Sequence, residues 1–173
     1  MVKPAGAACN LDCSYCFYLR KEALYPGQSH LMPFEVLENH VRQHLAASGA
    51  DAEFMWQGGE PMLRGLDFFR RSVELAEQYR RPGQRVRHAM QTNATLIDDE
   101  WAEFFRANDY LVGVSVDGPA HLHDALRVDK AGRGTHREVV RGWDTLRAHQ
   151  VRANILCTIN AAAVDHPLEV YRH

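Results

Sequence analysis

The sequence predicts an α/β fold, with parallel strands joined by crossover helices in an open sheet or part of a (β/α) barrel. Three observations predict it. Short extended apolar runs alternate with longer runs at helical spacing, and the connections between them are a few residues long. No repeat of solenoid length and no low-complexity linker interrupts the pattern. About five strands are visible in 173 residues, whereas a full eightfold barrel usually takes ~250. The expectation is therefore a partial barrel of about five βα units with an unprotected edge.

Each element has its own signal. Val2 to Gly6 is all that is left for a first strand before the cysteines. Phe34, Leu37, Val41 and Leu45 recur at helical spacing after Pro33, a good first-turn residue. Ala52 to Trp56 is a short, mostly apolar strand that stops at Gly58-Gly59. Leu66, Phe69, Val73 and Ala76 mark the next helix. Arg85 to Gln91 alternates, with Val86, His88 and Met90 on one face. Asp98 and Asp99 precede Trp101, Phe104 and Phe105, placing acids where a helix dipole favours them. Tyr110 to Val116 is nearly continuous apolar sequence, as in a strand buried on both faces, and Val151 to Ile159 is another such run. Thr135 and Glu138 form a T-x-x-E capping-box pattern ahead of Val139, Trp143 and Leu146. Asp165-His166-Pro167 reads as a helix start close to the end. Residues 1–173 are thus expected to be one domain, incomplete at both ends.

Composition narrows the function. Hydrophobic residues make up 46% of the chain, enough for a packed core. Lys+Arg is 20 against Asp+Glu 22, which argues against a general nucleic-acid binder. No apolar run approaches the ~18 residues of a membrane span, and the N-terminus has no signal-peptide h-region. Clustered thiols without an export signal point to a reducing cytoplasm.

Cys9, Cys13 and Cys16 follow C-x3-C-x2-C spacing. Three thiolates so close on a loop can grip three corners of one cubane, whereas an all-protein [4Fe–4S] site wants four cysteines. The remaining iron would be open to a small molecule, which suits cofactor chemistry better than electron storage. The alternative is a zinc-stabilised, non-enzymatic interaction module with a histidine as fourth ligand, for which His30, His40 and His44 are available. Cys157 ends an apolar run and reads as a buried core thiol. His121 and His123 read as loop residues.

Polar residues gather where strands end. Gly58-Gly59-Glu60-Pro61 follows a strand and precedes a helix; its glycines would let backbone approach a ligand closely. Its carbonyls, or Glu60, can accept from a cationic amino group. Alone the motif reads as a tight turn, but beside the cysteine loop it reads as a ligand contact. Thr92-Asn93 and Ser115-x-Asp117 stand at two further strand ends, and Asp117-Gly118-Pro119 reads as well as a turn. Ser115 carries a hydroxyl suited to a ribose or carboxylate. Arg127 can fork onto a carboxylate or lie at the surface. Tyr15, Phe17 and Tyr18 interleave the thiols, where aromatics would shield a cluster or pack a core.

The cysteine motif followed by Phe17-Tyr18 resembles the radical S-adenosylmethionine (SAM) enzymes. The similarity continues through Trp56-Gln57-Gly58-Gly59-Glu60-Pro61, Gln91-Thr92-Asn93 and Ser115-Val116-Asp117-Gly118-Pro119. It extends into His121-x-His123-Asp124-x3-Arg127, Gly132-x-Gly134-Thr135 and the opening Lys3-Pro4-Ala5-Gly6. The ordered set resembles the anaerobic sulfatase-maturating enzymes across nearly the whole chain, although radical SAM modifiers of other peptides share parts of it.

The resemblance implies a partial (β/α) barrel of the radical SAM type. It implies a [4Fe–4S] cluster on Cys9, Cys13 and Cys16, with SAM contacts from Tyr18, Gly59, Glu60, Asn93, Ser115 and Arg127. It implies reductive cleavage of SAM to a 5′-deoxyadenosyl radical, which oxidises a sulfatase cysteine or serine to Cα-formylglycine. The implied partners are a sulfatase polypeptide and a small-protein electron donor. The family's proton-accepting aspartate and its cysteine-rich C-terminal extension have no counterpart in residues 1–173, so no catalytic residue is expected here and full turnover is not expected of this chain alone. One position departs from the family: relatives usually carry Thr-Asn-Gly where this chain has Thr92-Asn93-Ala94. If that position needs positive φ, Ala94 is strained where glycine would not be.

Overall fold

A strict inside–outside alternation in β1 (Asp51–Trp56) aims Ala52, Phe54 and Trp56 into the core and leaves Asp51, Glu53 and Met55 exposed. The computed structural model describes residues 1–19, 21, 24 and 31–173. Among them β1 is followed by β2 (Arg85–Thr92), β3 (Leu111–Ser115) and β4 (Arg152–Leu156) in one parallel sheet of order β1-β2-β3-β4. The helices are α1 (Phe34–Ala47), α2 (Leu66–Tyr79), α3 (Asp99–Ala107), α4 (Ala120–His123), α5 (His136–Ala148) and α6 (Pro167–Arg172). A 3₁₀ turn, Pro61–Arg64, precedes α2.

The core lies where α1, α2, α3 and α5 present apolar residues to the strands. Leu37 and Val41 of α1, Phe68 and Phe69 of α2, Phe105 of α3 and Leu146 of α5 join Phe54, Trp56, Val112 and Val114 in one buried cluster. Trp56 meets Phe68 and Phe69 edge-on at 5.9 and 5.5 Å between centroids. Burying one such large side chain stabilises the fold by about 1.5–3 kcal/mol. His88 pairs in register with Phe54 and lies stacked between Phe54 and Tyr110. Burial holds it neutral, with its pKa lowered to about 4.

Several expectations are corrected here. Among the described residues four strands form, where about five were expected. Val2 makes one parallel bridge to Trp56, and the chain then enters a turn at Pro4, which has no N–H for a ladder. The sheet is open among the described residues, in keeping with a partial barrel that has an unprotected edge. β4 pairs with β3 alone, so it is an edge, and Ile155 and Leu156 stay exposed although their run reads as core. Cys157, immediately after that edge, is exposed rather than buried. Pro33 is the cap of α1 and lies just outside it. Thr135 caps α5 without the side-chain bond of a capping box, because its hydroxyl donates instead to the Arg127 carbonyl at 2.9 Å. Asp98 does cap α3, accepting from Trp101 N at 2.9 Å.

Candidate active site at the strand ends

The parallel register brings Gln57, Gly58 and Gly59 after β1, Gln91 to Asn93 at the end of β2, and Ser115 at the end of β3 into one row. Together with Cys9, Cys13, Tyr15, Cys16, Tyr18 and Arg127 they line a cavity of about 150 Å³. A larger cleft of about 300 Å³, between Asn10, Thr95, Arg133 and Glu138, has no thiol in its wall.

The cysteine loop is laid down by backbone bonds. Asp12 N donates to Val128 O at 2.8 Å and Ser14 N to Leu126 O at 2.9 Å, on either side of Arg127. Glu60 N donates to Ala8 O at 2.8 Å. Gly58 and Gly59 have φ of 99° and 53°, and a Cβ on Gly59 would overlap the Ala8 carbonyl. Only glycine accepts both that backbone conformation and that closeness.

All three thiols are free. Burial pushes the Cys9 thiol up to about 11, with smaller contributions from Glu60, Cys13 and Cys16. Burial also raises Cys13, against the pull of the Arg127 guanidinium. A bound cation would reverse that balance and deprotonate them. His40 and His44, considered above as zinc ligands, lie on α1 against Phe54 and do not line this cavity. His30 lies outside the described residues.

Glu60 does not line the cavity. It is fully buried, and its carboxylate accepts from Met62 N at 3.1 Å, Thr92 Oγ1 at 2.8 Å and Asn93 N at 2.8 Å. Burial pushes its carboxyl up while these donors pull it down. This corrects the reading of its side chain as a free acceptor for an amino group: its oxygens are committed to joining β1's exit to β2's exit. Asn93 continues the chain, donating to Asn10 Oδ1 at 2.9 Å and accepting from Thr95 N at 3.0 Å. Ala94 has φ of 60°, so the position does require the left-handed region, and this chain holds an alanine there.

Arg127 is buried, not a surface arginine, and donates to the Tyr15 hydroxyl at 2.7 Å. The Tyr15 hydroxyl donates in turn to Asp117 Oδ2. Asp117 therefore does more than make a turn: its Oδ1 accepts from Thr158 N at 2.9 Å, and its own N–H donates to His123 Nδ1 at 3.2 Å. His123 is a buried residue of α4 rather than a loop residue; its Nε2 lies 3.3 Å from Thr135 Oγ1. Burial lowers its pKa to about 4, consistent with a neutral ring that accepts at Nδ1. Of the aromatics, Tyr18 lines the cavity and lies under Lys3 Nζ, 4.8 Å from its centroid, whereas Phe17 is 67% exposed and shields nothing.

Gln91, part of the Gln91-Thr92-Asn93 motif, lines the cavity although the sequence suggested no role for its side chain. Its Nε2 donates to Ser115 Oγ at 2.9 Å, and its register partner is Gly113, where a Cβ would overlap the Gln91 amide oxygen. A glycine inside a buried strand was the available signal.

Known proteins resemble this chain closely. It is 41% identical over 173 residues to a serine-type anaerobic sulfatase-maturating enzyme of Bacteroides thetaiotaomicron, covering 99% of this chain and 42% of that one. It is 38% identical over 174 residues to a cysteine-type anaerobic sulfatase-maturating enzyme of Clostridium perfringens, covering 100% of this chain and 47% of that one. A solved structure, native anSMEcpe with bound AdoMet, superposes with a TM-score of 0.92 at 38% identity, over 98% of this chain and 47% of that one. A second, with AdoMet and the Cp18Cys peptide, gives 0.90 at 38% identity, over 98% of this chain and 45% of that one. The chain thus spans just under half the length of these relatives. The model of the Radical SAM superfamily matches residues 4–166, and the chain belongs to that family.

Proposed function

We propose that residues 1–173 are the cluster- and SAM-binding core of a sulfatase-maturating enzyme, acting on a cysteine or serine of a sulfatase polypeptide in the cytoplasm. A small protein would donate the electron. The observation that carries this reading is the meeting of three free thiols with three adjacent strand ends around one cavity.

The residues fit the group. Three free thiols on one cavity wall suit three corners of a cubane. Gly58 and Gly59 line the cavity, and the absence of a Cβ lets this turn pack directly on Lys3 and Ala8 beside the cysteine loop. Arg127 lines the cavity, and its buried Nε has no hydrogen-bond partner among the described residues, so the guanidinium retains capacity to pair with a carboxylate. Cys9, Cys13 and Cys16 would hold the cluster; Gly59, Asn93, Ser115, Arg127 and Tyr18 would hold SAM. When bound, the pair supplies one-electron cleavage of a sulfonium and so hydrogen abstraction from the peptide. The protein's share is to orient and to exclude water. Arg127 fixes one end of the cofactor, Tyr15 and Asp117 fix Arg127, and Glu60 fixes the strand-end backbone beneath it. Among the described residues no helix is long and apolar enough to cross a membrane, which agrees with a cytoplasmic enzyme.

Anaerobic reconstitution with iron and sulfide tests this. The expected product carries about four irons per chain and a paramagnetic signal that changes on adding SAM, and Cys13→Ala loses both. Tight zinc, no cluster and no response to SAM would overturn the reading. SAM cleavage with an unrelated cysteine peptide, but not with sulfatase-derived peptides, would reassign the target.

A further inference from the structure

Helix α6 contributes no buried residue, yet it lies against the loop that follows β3. Its contacts there are specific. Val170 packs over Gly118, a residue with φ of 84° whose added Cβ would come within 3.1 Å of the Val170 side chain. Glu169 reaches His121 of α4, with Oε1 3.3 Å from Nε2. His166, the cap of α6, places Nδ1 3.2 Å from the other Glu169 oxygen. The donor atoms of His121, His166 and Glu169 all lie within 4.8 Å of one another, and among the described residues no other trio of histidine, cysteine and carboxylate ligands does so.

We propose that His121, His166 and Glu169 form a site for a divalent transition-metal ion, of the zinc class, that staples α6 to the β3–α4 loop. The chemistry of the set supports this. Two imidazoles and one carboxylate select borderline ions such as Zn²⁺ over the all-oxygen sites of Mg²⁺ and Ca²⁺. Each imidazole nitrogen lies 3.3 or 3.2 Å from a different Glu169 oxygen, and one donor atom from each residue lies within 4.8 Å of the other two, near enough to close onto the roughly 3.4 Å spacing of ligands about 2.0–2.1 Å from a tetrahedral zinc. All three residues are exposed, so water can complete the coordination and the ion has an open path. The site is separate from the cysteine loop, whose thiols line a cavity that includes none of these three residues. The stapled loop also carries Asp117, which holds the Tyr15 hydroxyl. Metal binding would therefore stiffen the support of Arg127 without touching the cavity.

The test is zinc stoichiometry by calorimetry on the full chain, comparing the native protein with His121→Ala and with Glu169→Gln. The cysteine loop is the same in all three, so any metal it takes cancels in the difference. The native chain should bind one more equivalent of Zn²⁺ than His121→Ala. Glu169→Gln should weaken that equivalent by more than the roughly 10–100-fold typical of losing an outer-sphere partner. Added Zn²⁺ should also slow amide exchange in residues 166–172 of the native chain and not of His121→Ala. Equal stoichiometry in native and His121→Ala proteins, or exchange that does not respond to zinc, would overturn the proposal. Neither result bears on whether the thiols hold a cluster.

Discussion

Arg127 and Tyr15 are 112 residues apart and meet at 2.7 Å, guanidinium to hydroxyl, on the wall of the thiol cavity. Asp117 completes the group, 4.0 Å from Arg127. Burial pushes the Tyr15 hydroxyl up to about 12, so it remains a neutral donor to Asp117 at every working pH. Tyr15→Phe removes both bonds and leaves two buried charges with one partner fewer. The expected cost is about 1–3 kcal/mol in urea unfolding, with SAM affinity reduced and iron content unchanged, because no thiol is altered.

Gly142 tests packing in the opposite sense from helix propensity. Replacing an interior helix glycine by alanine usually stabilises by about 1 kcal/mol. Here a Cβ on Gly142 would overlap the Ala94 carbonyl oxygen, which is backbone and cannot swing away. Gly142→Ala should therefore lower stability by about 1–3 kcal/mol, read as a fall in the denaturant midpoint. An unchanged or raised midpoint would show that α5 and the Ala94 turn separate easily.

His88 makes stability depend on acid. Its folded pKa of about 4 lies below the ordinary histidine value of 6.5, so well above pH 6.5 both folded and unfolded states hold it neutral and it contributes no pH dependence. As pH falls from 6.5 to 4 the unfolded state takes up a proton that the folded state refuses. Stability then declines by about 3 kcal/mol across that window. His123, also lowered to about 4, adds a loss of the same sign. His88→Phe keeps the stack with Phe54 and Tyr110 and removes a buried nitrogen that has no partner among the described residues. Unfolding curves at pH 7 and pH 5 should lie closer together in that variant than in the native chain.

Glu60→Gln should be costly despite its near-identical shape. The native carboxylate accepts from three donors, and an amide can offer its NH₂ only to acceptors that are not there. The expected loss is about 1–3 kcal/mol in thermal or urea unfolding. A neutral result would mean that Glu60 is held protonated in the native chain.

The helices and the first three strands were readable because each follows one period over enough residues: Phe34 to Leu45 in α1, Ala52 to Trp56 in β1, Tyr110 to Val116 around β3. β4 shows the limit of that logic. Its apolar run predicts burial, but burial depends on having neighbours on both sides, and a run cannot report its place in the sheet. The thiol spacing was legible because three ligands of one group stand within eight residues. The hydrogen-bonded chain from Asp117 through His123 and Thr135 to the Arg127 carbonyl was not, since it needs the turn after β3 to fold back on the start of α5. Glu60 was noticed for its position in the Gly-Gly-Glu-Pro turn, and its true partners, Thr92 and Asn93, lie more than thirty residues away.

The bonds from Glu60 through Asn93 to Asn10 and Thr95 have a thermodynamic corollary. They make the base of the pocket stiff before anything enters it, so a ligand pays the entropic toll mainly for the segment bearing the thiols. Hydrogen exchange should then divide in two on loading with iron, sulfide and SAM. Amides of residues 9–19 should gain protection, while those of residues 89–95, already locked, should exchange at the same rate as before.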